Sequence, residues 1–476
     1  MGCRVLACSI YKDVLGTLFF VLCSLFNLNL TFQETSSNQS TKYQVQKNNM
    51  ANIGDTFEVE VERILPGGVG LAHAEGMTVF VYLAAPEDVL RVVIERTRGK
   101  VAFASIKEVI TPSPVRVEPP CPYFGRCGGC DFQQLSYETQ LKTKVEIIRD
   151  CLHRLGGFDP VPDFEIQPSP AEWHYRARAN WQLDRATNEL GYFERGSNRV
   201  CDVEFCAVLV PELQEELERV RGQLDRGSRA SRPPHAANEP LKSKLAPFSN
   251  AGGTPAIPTQ RAFIDPGKNI EAVAGDDGVS VAFEAGSFKS KVVSRRIGGE
   301  AYHFSAAGFF QINHELLEPI IDAAIGDATG ELAVDLYCGV GLFTLPLARH
   351  FTKVIGIESN RTATDFAREN LKSAKLTNAF VETARVGDWL QANSGSLGPV
   401  DFLLLDPPRT GAENRDIRGI LELRPSQISY VSCDPATLAR DLKKLTAAGY
   451  KLHSIKAFDM FPQTHHVETV VRLVEI

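Results

Sequence analysis

The stretch that most constrains this chain is residues 331–358. Glu331 to Leu336 is an apolar run that reads as a strand. It leads into a glycine turn at Gly339 and Gly341, a helix pattern through Ala348, and a second apolar strand, Lys353 to Glu358. From about residue 298 to the C-terminus the same alternation of helix and strand continues, which predicts a parallel-sheet α/β domain. Gly339 and Gly341 lack a Cβ, so the backbone there can approach a ligand closely. Glu358 lies about 20 residues past the turn, the spacing that suits the paired hydroxyls of a ribose. The loop lacks the six-residue dinucleotide fingerprint and has no Gly-Lys-Ser/Thr for a triphosphate. An adenosine ligand without a pyrophosphate fits best, and S-adenosylmethionine is the obvious one.

A second strand–helix junction carries a thiol. Ile428 to Val431 is an apolar strand, followed by Ser432-Cys433-Asp434-Pro435 and a strong helix pattern. The thiol therefore falls at the carboxyl end of a strand, where open α/β sheets keep their active sites. Asp434 can cap the helix and Pro435 can open it. The positive end of that helix is expected to stabilise a thiolate, which makes Cys433 a candidate nucleophile. A further strand, from Asp401, ends in Asp406-Pro-Pro-Arg409 and sets a carboxylate beside the methionine moiety or a target base. Asp388 is a candidate for the adenine. Cys338, inside the glycine loop, reads as an inert packed thiol.

The chain has 476 residues and a formal net charge of −7, so nucleic-acid binding would have to use local basic patches rather than a global field. Its 11 cysteines are scattered, which favours a reducing, cytoplasmic setting with metal or catalytic thiols. Residues 1–49 include an apolar stretch, Leu15 to Leu30, and a polar tail. A signal peptide or membrane anchor is one reading. We favour a mis-called start, because Met50-Ala-Asn-Ile-Gly-Asp reads like a natural beginning, and we expect no membrane partner. Residues 54–110 alternate apolar and polar residues between Gly/Pro breaks at Pro66-Gly67-Gly68 and Gly70, which predicts a small β-barrel.

Ser136 to Leu155 is helical in pattern, and 173–205 reads as strands. In those strands Trp173-His-Tyr-Arg-Ala-Arg178, Arg195 and Arg199 suit either phosphate and base contacts or a charged solvated face. Residues 226–260 read as a flexible insertion. Cys121, Cys127 and Cys130 lie in a Gly-rich loop and need a fourth thiolate, with Cys151, Cys201 and Cys206 as candidates. Zinc usually takes two paired Cys-x-x-Cys units, whereas three clustered thiols and one distant thiol suit a [4Fe–4S] cluster better.

Several ordered motifs together resemble one family, the RNA uracil-C5 methyltransferases. They are Phe309-Phe-Gln-Ile-Asn313, the 335–348 loop, Asp406-Pro-Pro-Arg-Thr-Gly411, Ser432-Cys-Asp-Pro-Ala-Thr-Leu-Ala-Arg-Asp441 and Phe461-Pro-Gln-Thr-His-His-Val-Glu468. The barrel resembles a TRAM domain, an RNA-binding module. The 121–130 loop resembles the iron–sulfur motif of the 23S rRNA branch, with Cys206 at the fourth position. The resemblance runs from about residue 50 to the C-terminus and implies an α/β fold. It places a TRAM/OB-like β-barrel at 50–117 and a central α+β domain with an iron–sulfur site at 118–297. A Rossmann-like class I S-adenosylmethionine methyltransferase domain follows at 298–476.

Carried over by position, Gln311, Tyr337, Glu358 and Asp406 would bind S-adenosylmethionine, Cys433 would be the nucleophile and Glu468 the base. Leu342, beside Gly341, is polar in some relatives. Arg409 is a candidate enolate stabiliser, and Phe309 and Phe310 are candidates to stack on an extruded base. His465 and His466 read as packing or phosphate contacts. The expected substrate is 23S rRNA and the expected state a monomer. The barrel and cysteine motif favour rRNA over tRNA, since the bacterial tRNA branch generally lacks both. An RNA cytosine-C5 methyltransferase would need a second Cys after Asp406-Pro, and none is present at 406–409. A non-catalytic iron–sulfur assembly factor is the rival of another class, and intact Cys433 and Glu468 argue against it.

Overall fold

The computed structural model describes residues 52–228, 269–283 and 290–476. The readings made for 1–49 and for most of the 226–260 insertion fall outside those residues. The first unit is a closed barrel whose strands run Thr56–Leu65, Val69–Ala74, Met77–Tyr82, Val101–Thr111 and Val89–Arg98 around its wall. The alternation in the sequence sets its inside from its outside. Val59, Val61, Leu90, Val92 and Ile94 point inward into one apolar cluster, while Glu58 and Glu60 between them face water.

The second unit is an eight-stranded sheet. Its strands lie in the order Ala379–Thr383, Phe351–Glu358, Gly330–Leu336, Phe402–Leu405, Gln427–Ser432, Glu468–Glu475, Tyr450–Phe458 and Ile166–Gln167. The first five are parallel. Glu468–Glu475 runs antiparallel to both of its neighbours. Chain progression reverses between Gly330–Leu336 and Phe402–Leu405. Ligand crevices of open α/β sheets form outside the carboxyl ends of strands at such a switch point.

An antiparallel sheet lies between these units in sequence. It is ordered Gly278–Phe283, Asn269–Gly275, Arg178–Asp184, Glu189–Phe193 and Val200–Asp202, and the helix Pro211–Ser228 packs on it through Leu213, Leu217 and Val220. The hairpin of Val293–Ile297 with Glu300–Phe304 straddles residue 298. Among the described residues no helix is long and apolar enough to cross a membrane.

Residues 131–167 share the core of the large sheet rather than forming one of their own. Ser136 caps the helix Tyr137–Cys151, which runs into a π-helical turn, Leu152–Gly156. Ile147, Ile148 and Leu152 pack in one cluster with Leu438 and Leu442 of the helix Pro435–Ala447. On the same helix Lys144 is wholly buried, and its ammonium meets the equally buried Asp459 at 2.5 Å and the Phe461 carbonyl at 3.1 Å. Truncating one partner of such a pair strands the other charge. Lys144→Ala is therefore expected to lower unfolding free energy by about 3–5 kcal/mol, read by urea denaturation. A Lys144→Met/Asp459→Leu double variant should recover most of that loss.

Candidate active site

The reversal of strand order places Tyr337, Glu358 and Asp406 at the carboxyl ends of neighbouring strands, with Gln311 reaching Asp406. Tyr337 follows directly on Gly330–Leu336, and Asp406 on Phe402–Leu405, with the Asp406 amide donating to the Leu336 carbonyl at 3.4 Å. The Gln311 amide reaches the Asp406 carboxylate at 3.5 Å. Glu358 ends its strand beneath the glycine turn, accepting from the Gly339 amide at 3.3 Å and the Asn360 amide at 2.6 Å. Tyr337 has a left-handed backbone (φ 64°), and its hydroxyl donates to Asp416 at 2.6 Å. The bend at Tyr337 is thus pinned from the helix Asn414–Leu423. Leu342 lies in the apolar core, so its side chain serves packing.

Asp335 is a feature the sequence reading passed over, because it sits mid-strand in an apolar run. It is fully buried beside the crevice, with the Thr344 hydroxyl donating to it at 2.5 Å. Burial pushes its carboxyl up to about 7, with Asp406 and Glu358 adding repulsion. Burial likewise raises Asp406 to about 7. A cluster of carboxyls that resists ionisation is suited to a cationic ligand, which would relieve it.

The second set meets through strand pairing. Ser432 is paired with Thr469, so the next residues outward, Cys433 and Glu468, lie across from one another. Asp434 caps the helix after Cys433, accepting from the Thr437 amide at 2.8 Å, and Pro435 occupies its first turn. Burial and then Glu468 push the half-buried Cys433 thiol upward, and only Arg409 acts the other way. Glu468 is itself held well above the carboxylate range by burial and by Asp406, with Arg409 again opposing. A helix end weighs little against a buried neighbouring carboxyl.

Other candidates part company. Asp388 is exposed and pairs with Arg415 at 2.8 Å. Phe310 is buried and stacks on Phe304 at 4.0 Å, so it is core, whereas Phe309 is 60% exposed with the Arg178 guanidinium 5.9 Å from its ring. The basic strands are engaged internally. Arg178 pairs with Glu271, Arg199 with Glu194, and Arg195 donates to the Cys130 carbonyl at 2.6 Å. His465 contacts Asp131, and burial, with His465 beside it, pushes the His466 imidazole well below its ordinary value. Cys338 is buried, its thiol pushed up by burial.

Cys121, Cys127, Cys130 and Cys206 line a single pocket with Tyr123, Phe124 and Arg176. The Gly129 amide donates to the Cys127 sulfur at 3.4 Å. Burial raises the Cys127 thiol to about 12, and Cys206 adds to that rise. Cys151 lies elsewhere, in the core of the large sheet. Among the described residues no group of three or more His, Cys, Asp or Glu is drawn together closely enough to hold a metal ion.

Comparison with known proteins agrees with the fold. A family model described as tRNA (Uracil-5-)-methyltransferase matches residues 288–395 and 397–476. The 23S rRNA (uracil(1939)-C(5))-methyltransferase RlmD of Shewanella amazonensis is 32% identical over 436 residues, covering 90% of this chain and 97% of that protein. An uncharacterized RNA methyltransferase of Aquifex aeolicus is 30% identical over 438 residues, covering 88% and 98%. The crystal structure of Pyrococcus abyssi tRNA (uracil-54, C5)-methyltransferase with S-adenosyl-L-homocysteine superposes with a TM-score of 0.63 at 23% identity, covering 88% of this chain and 99% of that one, and shares the fold. With a relative this similar along nearly its whole length, the chain belongs to the RNA uracil-C5 methyltransferase family and is an RNA (uracil-5-)-methyltransferase.

Proposed function

We propose that this enzyme moves a methyl group from S-adenosylmethionine to C5 of a uridine in 23S rRNA through a covalent adduct on Cys433. The observation that carries this reading is the opposition of Cys433 and Glu468 across two paired strands, beside the crevice at the switch point. Gln311, Tyr337, Glu358 and Asp406 would hold the donor. Glu358 suits the ribose hydroxyls, and Asp406 would face the methionine moiety, whose sulfonium charge would offset carboxyls that burial disfavours. That offset also favours ionisation of Cys433 and Glu468, since Asp406 raises both.

C6 of uracil is electrophilic through conjugation with the C4 carbonyl. The Cys433 thiolate adds at C6, and the electron pair moves through C5 to the C4 oxygen as an enolate, which Arg409 is placed to stabilise. C5 then displaces S-adenosylhomocysteine from the methyl carbon. The Glu468 carboxylate removes the C5 proton, the C5–C6 double bond re-forms, and the C6–S bond breaks to return the thiolate. Exposed Phe309 at the mouth suits stacking on a base turned out of its helix.

The pocket lined by Cys121, Cys127, Cys130 and Cys206 is the chemistry of a [4Fe–4S] site. It has four thiols, an amide already aimed at one sulfur, and the Arg176 guanidinium, which opposes the burial that pushes the Cys130 and Cys206 thiols up. A cluster there would supply structural cross-linking between the 121–130 loop and the antiparallel sheet. The 23S rRNA assignment draws on the printed names of relatives from Shewanella amazonensis and Alkalilimnicola ehrlichii, and tRNA is the alternative.

Cys433→Ala is expected to abolish methyl transfer while RNA binding persists, and retained turnover would defeat the assignment. Glu468→Gln should cut turnover about 10²–10⁴-fold and trap a methylated RNA–protein adduct that survives denaturing gels. Cys206→Ser should lower iron content and visible absorbance, and parent-like values of both would remove the cluster. Mass mapping of rRNA and tRNA from a deletion strain identifies the substrate: a missing 5-methyluridine in tRNA alone would overturn the rRNA reading.

A further inference from the structure

The loop that delivers Glu468 to its strand is held by residues far away in sequence. Asp131, directly after Cys130, accepts from the His465 backbone amide at 2.8 Å and meets the His465 ring Nδ1 at 2.6 Å. In return the amides of Asp131 and Phe132 donate to the Gln463 carbonyl at 3.1 and 3.0 Å. The Gln140 side chain completes the grip. It donates to the Gln463 side chain at 3.0 Å and accepts from the Gln463 amide at 2.9 Å.

Gln463 has a left-handed backbone (φ 68°), a conformation costly for a residue with a side chain and kept only where surroundings impose it. The barrel closes the same joint. A Cβ placed on Gly68 would come within 3.1 Å of the His465 Cβ and 3.3 Å of the Phe132 ring. Three parts of the chain therefore converge on residues 463–465, and His465 is only three residues ahead of Glu468 in the sequence.

We propose that Asp131 is a positioning residue for Glu468, and that the clamp it makes on 463–465 sets the proton-removal step specifically. The proposal rests on Glu468 being the base. Cys433 is carried by a different strand and helix, so adduct formation does not draw on the clamp, whereas the reach of Glu468 toward C5 does. The side chain of Asp131 is bonded to His465. It acts only by fixing where the strand Glu468–Glu475 begins.

The experiment is single-turnover methylation of substrate RNA tritiated at uridine C5, with methyl transfer, tritium release and denaturation-stable adduct followed together. Asp131→Ala should slow tritium release on the order of 10²-fold, the scale of an ångström-sized misplacement of a catalytic group. Adduct should accumulate, with KM for RNA and the rate of adduct formation near the parent's. Asp131→Asn should restore release, because its amide can accept from the His465 backbone and donate to the ring. Parent-like release in Asp131→Ala, or equal slowing of adduct formation and release, overturns the proposal.

Iron content and melting temperature are measured on each variant. If Asp131→Ala does not fold, His465→Ala decides, since it removes only the ring half of the clamp. Partial adduct accumulation in it supports the proposal, and parent-like release overturns it. Glu468→Gln runs in parallel. An absence of trapped adduct there would sink the base assignment itself, separately from the clamp.

Discussion

The catalytic reading depends on one piece of backbone pairing, the antiparallel contact between Gln427–Ser432 and Glu468–Glu475. Five parallel strands build the crevice, but they offer only one side of the nucleophile. The reversed strand brings a carboxyl from near the C-terminus to face a thiol some thirty residues earlier in the chain. A one-residue slip in that register would turn Glu468 to the opposite face of the sheet. The buried Lys144–Asp459 pair and the hydrogen bonds to Gln463 fix the loop on which the register depends. Structural polarity here serves geometry more than net stability, since desolvation consumes much of what a buried ion pair gains.

The electrostatics of the crevice follow from crowding. Asp335, Asp406, Glu358 and Glu468 all lie near the carboxyl ends of adjacent strands, and Arg409 is the cation that lowers Glu468 and Cys433. Such a site resists ionising alone and is primed to do so beside a positive ligand. Burial and Glu468 push the Cys433 thiol upward, and Arg409 opposes them.

Much of this was legible in the chain. The βαβ unit at 331–358, the thiol at a strand end and the acid after Phe402–Leu405 each announce themselves through local signals: apolar runs, glycines, a cap, a proline. The barrel showed in its alternation for the same reason. Asp335 stayed hidden because burial, which gives it meaning, leaves no mark on neighbouring residues. Arg178, Arg195 and Arg199 suited either a nucleic-acid face or a solvated one, and their partners Glu271, the Cys130 carbonyl and Glu194 are brought in only by folding. Phe309 and Phe310, identical by type, separate into a surface ring and a core ring.

The amino-acid sequence by itself determined the periodicities, the turn at Gly339–Gly341, the capped helix after Cys433 and the spacing of Cys121, Cys127 and Cys130. These are short-range properties, set by backbone sterics and side-chain pattern within a few residues. Only the tertiary structure decided that Glu468 faces Cys433, that Asp131 grips His465, and that Cys206 rather than Cys151 or Cys201 joins the other three thiols in lining one pocket. Those outcomes depend on contacts between segments separated by tens to hundreds of residues, where packing and desolvation choose among partners that are locally equivalent.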